Sequence, residues 1–194
     1  MPDNKKMVEI RHFKMSFGDK TVIKDLSFDV FRGEVFGFLG SNGSGKTTTL
    51  RALLGLYQPT AGDLLINGKP YSVESQIRLG YLPEERGLYK KEKVLDVMLY
   101  FGQLKGLSRK EAKGFSMKFL ERVNLSDKAN TQLDKLSGGQ QQKIQLGVTI
   151  MGDPELLIMD EPAKGFDPVN RRLLMNIIEE QRKAGATIIY VTHQ

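Results

Sequence analysis

The sequence predicts an α/β fold, a parallel core entered through antiparallel strands and interrupted by a helical insert. Three observations carry this. Two short, nearly unbroken apolar runs, ELLIMD at 155–160 and TIIYV at 187–191, read as parallel strands buried on both faces. The stretch LSFDVF at 26–31 alternates apolar and polar residues, as a half-buried antiparallel strand does. From about 94 to 123 the spacing becomes helical.

Taken in order, the chain opens with three strand-like segments, VEIRHFKMSF at 8–17, TVIKDLSFDVF at 21–31 and EVFGFL at 34–39. Gly18-Asp19 and Arg32-Gly33 supply the turns between them. His12 lies inside the first strand and reads as structural. A helix is expected after Gly45, through TTTLRALLGL. GDLLINGK at 62–69 is a short strand ending in the turn signal Asn67-Gly68. The character changes near Pro83, where a helical insert of roughly 85 to 135 begins. Ser108 and Glu111 have the spacing of a capping box. After ELLIMD, Asp167-Pro168 starts another helix, with Asp placed to cap and Pro at the first helical position.

A length of 194 residues suffices for one α/β domain with a sizeable core, and 40% apolar content suits a globular protein. No apolar run approaches the ~20 residues that span a bilayer, and the first residues lack a signal-peptide pattern. Cysteine is absent, which excludes disulfides and thiolate metal sites, and two histidines far apart do not make a zinc site. These features point to the cytosol. Net charge is +6, and the window 86–122 alone carries ten Lys/Arg against four Asp/Glu. That window is either a solvated helical face or a contact for an acidic partner, anionic lipid or nucleic acid.

The chemistry concentrates in three places. Gly40-Ser41-Asn42-Gly43-Ser44-Gly45-Lys46-Thr47 fits G-x-x-x-x-G-K-[ST] between a strand and a helix, the context that motif requires. Its glycines let backbone N–H groups curl around phosphates, and the helix N-terminus adds partial positive charge. Lys46 reaches the β/γ-phosphates, and the Thr47 hydroxyl suits Mg²⁺. LLIMDEP at 156–162 then delivers two carboxylates at the C-terminal end of a buried strand, where such sheets bind ligands. Asp160 would hold Mg²⁺ and Glu161 would polarise an attacking water. The third place is Ser137-Gly138-Gly139-Gln140, a second stretch of small residues at a helix start. Ser137 and Gln140 have capping-box spacing, and the free N–H groups also suit a terminal phosphate. The insert is expected to hold this helix end away from the chain's own Lys46, so it would serve the nucleotide of a second copy. His193, after the last apolar strand, lies beside the other strand ends and is open to a structural or a catalytic role.

With Gly40–Thr48, LSGGQ at 136–140, Leu156–Pro162 and His193 in this order, the sequence resembles the nucleotide-binding subunit of an ATP-binding-cassette (ABC) transporter over nearly its whole length. The resemblance implies a P-loop NTPase (RecA-like) parallel core, an antiparallel β subdomain and a helical signature subdomain at about 85–150. It implies an ATPase that binds ATP with Mg²⁺, pairs head to tail with a second copy and powers transmembrane permease subunits from the inner face of the cell membrane. Phe17 sits where the family stacks an aromatic ring on adenine. Glu84 occupies the position of a glutamine that senses Mg²⁺ and the membrane partner. His193 resembles the histidine that contacts the γ-phosphate, Thr48 belongs to the phosphate loop, and Asp167 resembles the aspartate at the dimer interface. GYLPEERGLYKKEKV at 80–94 is most similar to exporter subunits of the sodium- or drug-export kind. Nucleic acid is not an expected partner. The rival readings are a soluble ABC-type ATPase acting on nucleic acid or ribosomes, suggested by basic charge alone, and a nucleotide-dependent binding module with poor turnover.

Four features depart from the family pattern. Ser41 replaces a common proline. Glu84 replaces glutamine and adds negative charge. Lys164 puts a cation near the expected dimer interface. The chain stops at Gln194, where the family continues, which implies a truncated C-terminus.

Overall fold

The computed structural model describes residues 5–72, 74–85 and 87–193. Arg86, which opens the basic window, and the terminal Gln194 lie outside the described residues. Two long antiparallel strands come first, β1 (Lys6–Phe17) and β2 (Lys20–Phe31). β3 (Val35–Leu39) leads through the glycine-rich loop into α1 (Lys46–Leu53). β4 (Ala61–Ile66) returns to the other edge of β1, giving a three-stranded sheet in the order β2-β1-β4. Asn67 and Gly68 both take positive φ, +53° and +74°, as a tight hairpin-type turn demands.

The second sheet is parallel, in the order β3-β7-β6-β5, with β5 (Leu79–Leu82), β6 (Leu156–Asp160) and β7 (Thr187–Thr192). β5 goes unseen in the sequence reading. It has four residues and contains Gly80, where a Cβ would lie 2.6 Å from the Thr149 carbonyl and 2.8 Å from Leu157 Cδ1. Close approach of helix to strand demands glycine at that point and removes the β-branched signal that marks a strand. The helical stretch expected from about 94 to 123 consists of two helices, α2 (Val94–Leu104) and α3 (Arg109–Arg122), with Ser108 and Glu111 forming the expected reciprocal capping box at the start of α3. α4 (Gly138–Ile150) and α5 (Pro168–Lys183) complete the chain, the latter capped by Asp167 accepting from Asn170 N.

β6 explains how the layers join. Its side chains alternate between two cores, Leu156 and Ile158 toward β1, β4 and α1, Leu157 and Met159 toward α2–α5. A strand buried on both faces by period-two alternation needs an unbroken apolar run, and LLIM supplies it. Burying one such side chain contributes about 1.5–3 kcal/mol, so this strand is a rigid mount for the two carboxylates at its C-terminal end, Asp160 and Glu161.

The basic window is not one face. Lys90, Lys91, Lys93, Arg109, Lys110, Lys113 and Lys118 are exposed. Arg122 makes a bidentate pair with Glu180 on α5, both bonds 2.7 Å. Lys105 turns inward and donates to the carbonyls of Val148, Thr149 and Met151 at the end of α4. Among the described residues no helix is long and apolar enough to cross a membrane.

A candidate nucleotide site

The loop between β3 and α1 owes its shape to glycine. Gly43 and Gly45 adopt φ of +77° and +94°, a region costly for other residues. At Gly45, the N-cap of α1, a Cβ would also lie 2.9 Å from Ile23 Cγ1. Lys46, buried at the first helical position, curls back so that Nζ donates to the carbonyls of Gly40 (2.6 Å) and Ser41 (2.9 Å). Its ammonium is thereby held inside the loop, where a phosphate would meet it. Ser44 N donates to Ser41 O and closes the turn.

Thr47 and Asp160 meet across the gap between α1 and β6. Thr47 Oγ1 donates to Asp160 Oδ2 at 2.8 Å. Asp160 is only 1% exposed. Burial pushes its carboxyl above the ordinary range, the Thr47 hydroxyl pulls it back, and the charges of Glu84 and Glu161 push it up again. A buried, electron-rich oxygen pair of this kind wants a cation. Among the described residues no group of three or more His, Cys, Asp and Glu is arranged to hold a metal. Two protein oxygens nevertheless fit Mg²⁺, which keeps several waters and takes one or two protein ligands beside substrate phosphates.

Glu161 comes next on a backbone of positive φ, +50°, with its N–H bonded to Val191 O. That turn brings the carboxylate back over the strand ends. Its Oε1 lies 2.6 Å from His193 Nδ1, and its Oε2 accepts from Thr192 Oγ1 at 3.3 Å. His193, open to either role on sequence, is thus an imidazole facing the second carboxylate. Glu84 stands opposite, and Lys164 Nζ donates to its Oε1 at 2.7 Å.

These groups line one cavity of about 550 Å³, formed by Asn42, Gly43, Gly45, Lys46, Thr47 and Thr48 on one side and Glu84, Asp160, Glu161, Lys164 and His193 on the other, with Val22 beneath. Gly40, Ser41 and Ser44 shape the loop without lining the cavity. Phe17 does not line it either; its ring meets Tyr57 edge-on at 5.4 Å and stays 46% exposed. Ser137, Gly138, Gly139 and Gln140 are elsewhere, at the start of α4. Ser137 Oγ accepts from Gln140 N, and Gln140 Oε1 accepts from Ser137 N. The capping box is therefore formed, and these residues are absent from the lining of the chain's own cavity.

Sequence reasoning missed Val22, which carries no signal beyond strand alternation, and the role of Lys164. The sequence places the lysine near an expected dimer interface and assigns it no partner. In the structure it pairs with Glu84 on the cavity wall.

A family model described as ABC transporter matches residues 23–164. An uncharacterized ABC transporter ATP-binding protein of Methanocaldococcus jannaschii is 43% identical over 98% of this chain and 69% of its own length. Nod factor export ATP-binding protein I of Paraburkholderia xenovorans is 38% identical over 96% of this chain. The chain spans 62% of that second relative. A solved structure, the ATP-binding subunit of an ABC transporter, superposes with a TM-score of 0.86 at 29% identity, covering 96% of this chain and 79% of the other.

Proposed function

This chain belongs to the ABC transporter family, and on that basis we propose that it binds and hydrolyses MgATP as a head-to-tail pair and powers a membrane permease for export. The observation that carries the reading is the convergence of Lys46, the Thr47–Asp160 pair and the Glu161–His193 pair on one cavity.

Each residue then has a task. The N–H groups of 40–48 wrap the phosphates, and Lys46 exchanges two loop carbonyls for phosphate oxygens, a stronger charge-assisted contact. Thr47 and Asp160 would hold Mg²⁺, which when bound would supply neutralisation of phosphate charge. Glu161 accepts a proton from the attacking water, and His193 orients that carboxylate from its far side. Phe17, already seated against Tyr57, offers a half-exposed ring to adenine. Ser137 to Gln140, already capping α4, present the helix N-terminus to the nucleotide of a second copy. The segment 85–150 acts as a helical signature subdomain, and the chain works on the inner face of the membrane beside its permease. Export is supported by the similarity to the Nod factor export ATP-binding protein and by the motif at 80–94.

The test is Lys46→Ala. Losing a buried charge-assisted phosphate contact costs about 1.5–3 kcal/mol, roughly a 10- to 150-fold loss in affinity. Titration with a fluorescent ATP analogue measures it, and unchanged affinity contradicts the assignment.

A further inference from the structure

Lys164 and Glu84 are separated by 80 positions in sequence, and each is unusual by itself. Together they form one ion pair on the wall of the nucleotide cavity, 2.7 Å between Nζ and Oε1. Both partners are held from behind. Lys164 N donates to Glu161 O in the turn after the second carboxylate, and Gly165 completes that turn at φ +77°. The Glu84 loop is tied to α4, where Gln145 Nε2 donates to the carbonyl of Glu85 at 3.2 Å and reaches that of Pro83 at 3.5 Å. The backbone on each side is therefore fixed while the two charged tips remain in solvent reach, with side chains 62% and 39% exposed. Exposed pairs of this kind are weak and exchange readily.

The charges around the cavity give the pair a consequence. Glu84, Asp160 and Glu161 are three carboxylates facing Lys46 and Lys164. Lys46 is committed to the phosphate loop. Lys164 is the cation that answers Glu84.

We propose that Lys164 is a positioning residue for the metal side of the site: it holds the Glu84 carboxylate on the cavity wall, so that Glu84 joins the oxygen set around Mg²⁺ only after the ion pair parts. The proposal rests on reading the cavity as a MgATP site. Under it, Lys164 sets how much free Mg²⁺ is needed for nucleotide to bind, and it does so through Glu84 alone.

The experiment is equilibrium binding of a fluorescent ATP analogue across a free-Mg²⁺ titration, with the wild type, Lys164→Ser, Lys164→Arg, Glu84→Gln and the Lys164→Ser/Glu84→Gln double variant. Freeing an oxygen ligand next to a divalent cation shifts its half-saturating concentration by about three- to tenfold at low salt. Lys164→Ser is expected to lower the half-saturating Mg²⁺ by that factor, Lys164→Arg to keep the wild-type value, and Lys164→Ser in the Glu84→Gln background to shift it less than about twofold. The same shift in both backgrounds, or no shift in either, overturns the proposal while leaving the nucleotide site intact. Wild-type protein that binds no analogue at any Mg²⁺ concentration overturns the site reading and the proposal with it.

Discussion

Replacing Lys105 with methionine sets two effects against each other, and the structure fixes both. The ammonium donates to the carbonyls of Val148 (2.7 Å), Thr149 (2.7 Å) and Met151 (3.0 Å), which satisfies the buried C-terminal end of α4. Losing three such bonds costs about 1 kcal/mol each, so about 3 in all. Burial, however, pushes the Lys105 ammonium down from 10.5 to about 8. The buried charge therefore carries a penalty of about 3 kcal/mol, which methionine removes. At pH 7 the two effects nearly cancel, and the variant should be within about 1 kcal/mol of wild type. The sign with pH is opposite to that of an ordinary lysine salt bridge. Below pH 8 folded and unfolded chains both hold the proton and the penalty is complete. Between about 8 and 10.5 the unfolded chain binds more protons than the folded one, so stability rises with pH. A neutral amine still donates two hydrogens, so near pH 10.5 wild type should exceed Lys105→Met by about 2 kcal/mol. For a domain of this size that is about 4–8 °C in Tm. Thermal denaturation of both proteins from pH 7 to 10.5 reads the difference directly and cancels the other lysines and tyrosines. A Tm gap independent of pH would show that the Lys105 charge carries no such penalty.

Two further expectations concern packing and assembly. At Gly147 a Cβ would lie 2.5–3.0 Å from three ring atoms of Phe119, so Gly147→Ala should cost about 1–3 kcal/mol by overpacking, seen as a lower Tm, and Phe119→Leu should recover part of it. Mixing Lys46→Ala with Ser137→Arg gives pairs in which one site takes both defects and the other neither. A signature acting across the pair then restores nucleotide trapping at one site, whereas no trapping in demonstrated mixed pairs counts against a shared site.

Features whose cause is local were legible in the sequence. The glycine-rich loop before α1, the two capping boxes at Ser108 and Ser137, the Asp167-Pro168 start and the doubly buried strand before Asp160 each depend on neighbours a few positions away. Features that depend on distant partners were not. Gly80 hides β5 because α4 must approach it. Lys105 looks like one charge among many in a basic window, yet its acceptors lie more than forty positions on. Glu84 and Lys164 were read as separate oddities because nothing in a single sequence pairs positions so far apart. Glu161 and His193 were placed at strand ends, but only folding of the Glu161 turn to φ +50° sets them 2.6 Å apart.

The proposed hydrolysis turns on Glu161 acting as the base of a MgATP site built on the end of β6. The decisive measurement is steady-state phosphate release beside ATP-analogue binding, on wild type and Glu161→Gln. The amide keeps the size of the side chain and its reach to His193 but cannot take a proton from water. Nucleotide affinity should stay within a few-fold of wild type, turnover should fall about 10²- to 10⁴-fold, and the ATP-bound pair should accumulate. Turnover at the wild-type rate in Glu161→Gln would contradict the assignment of the base.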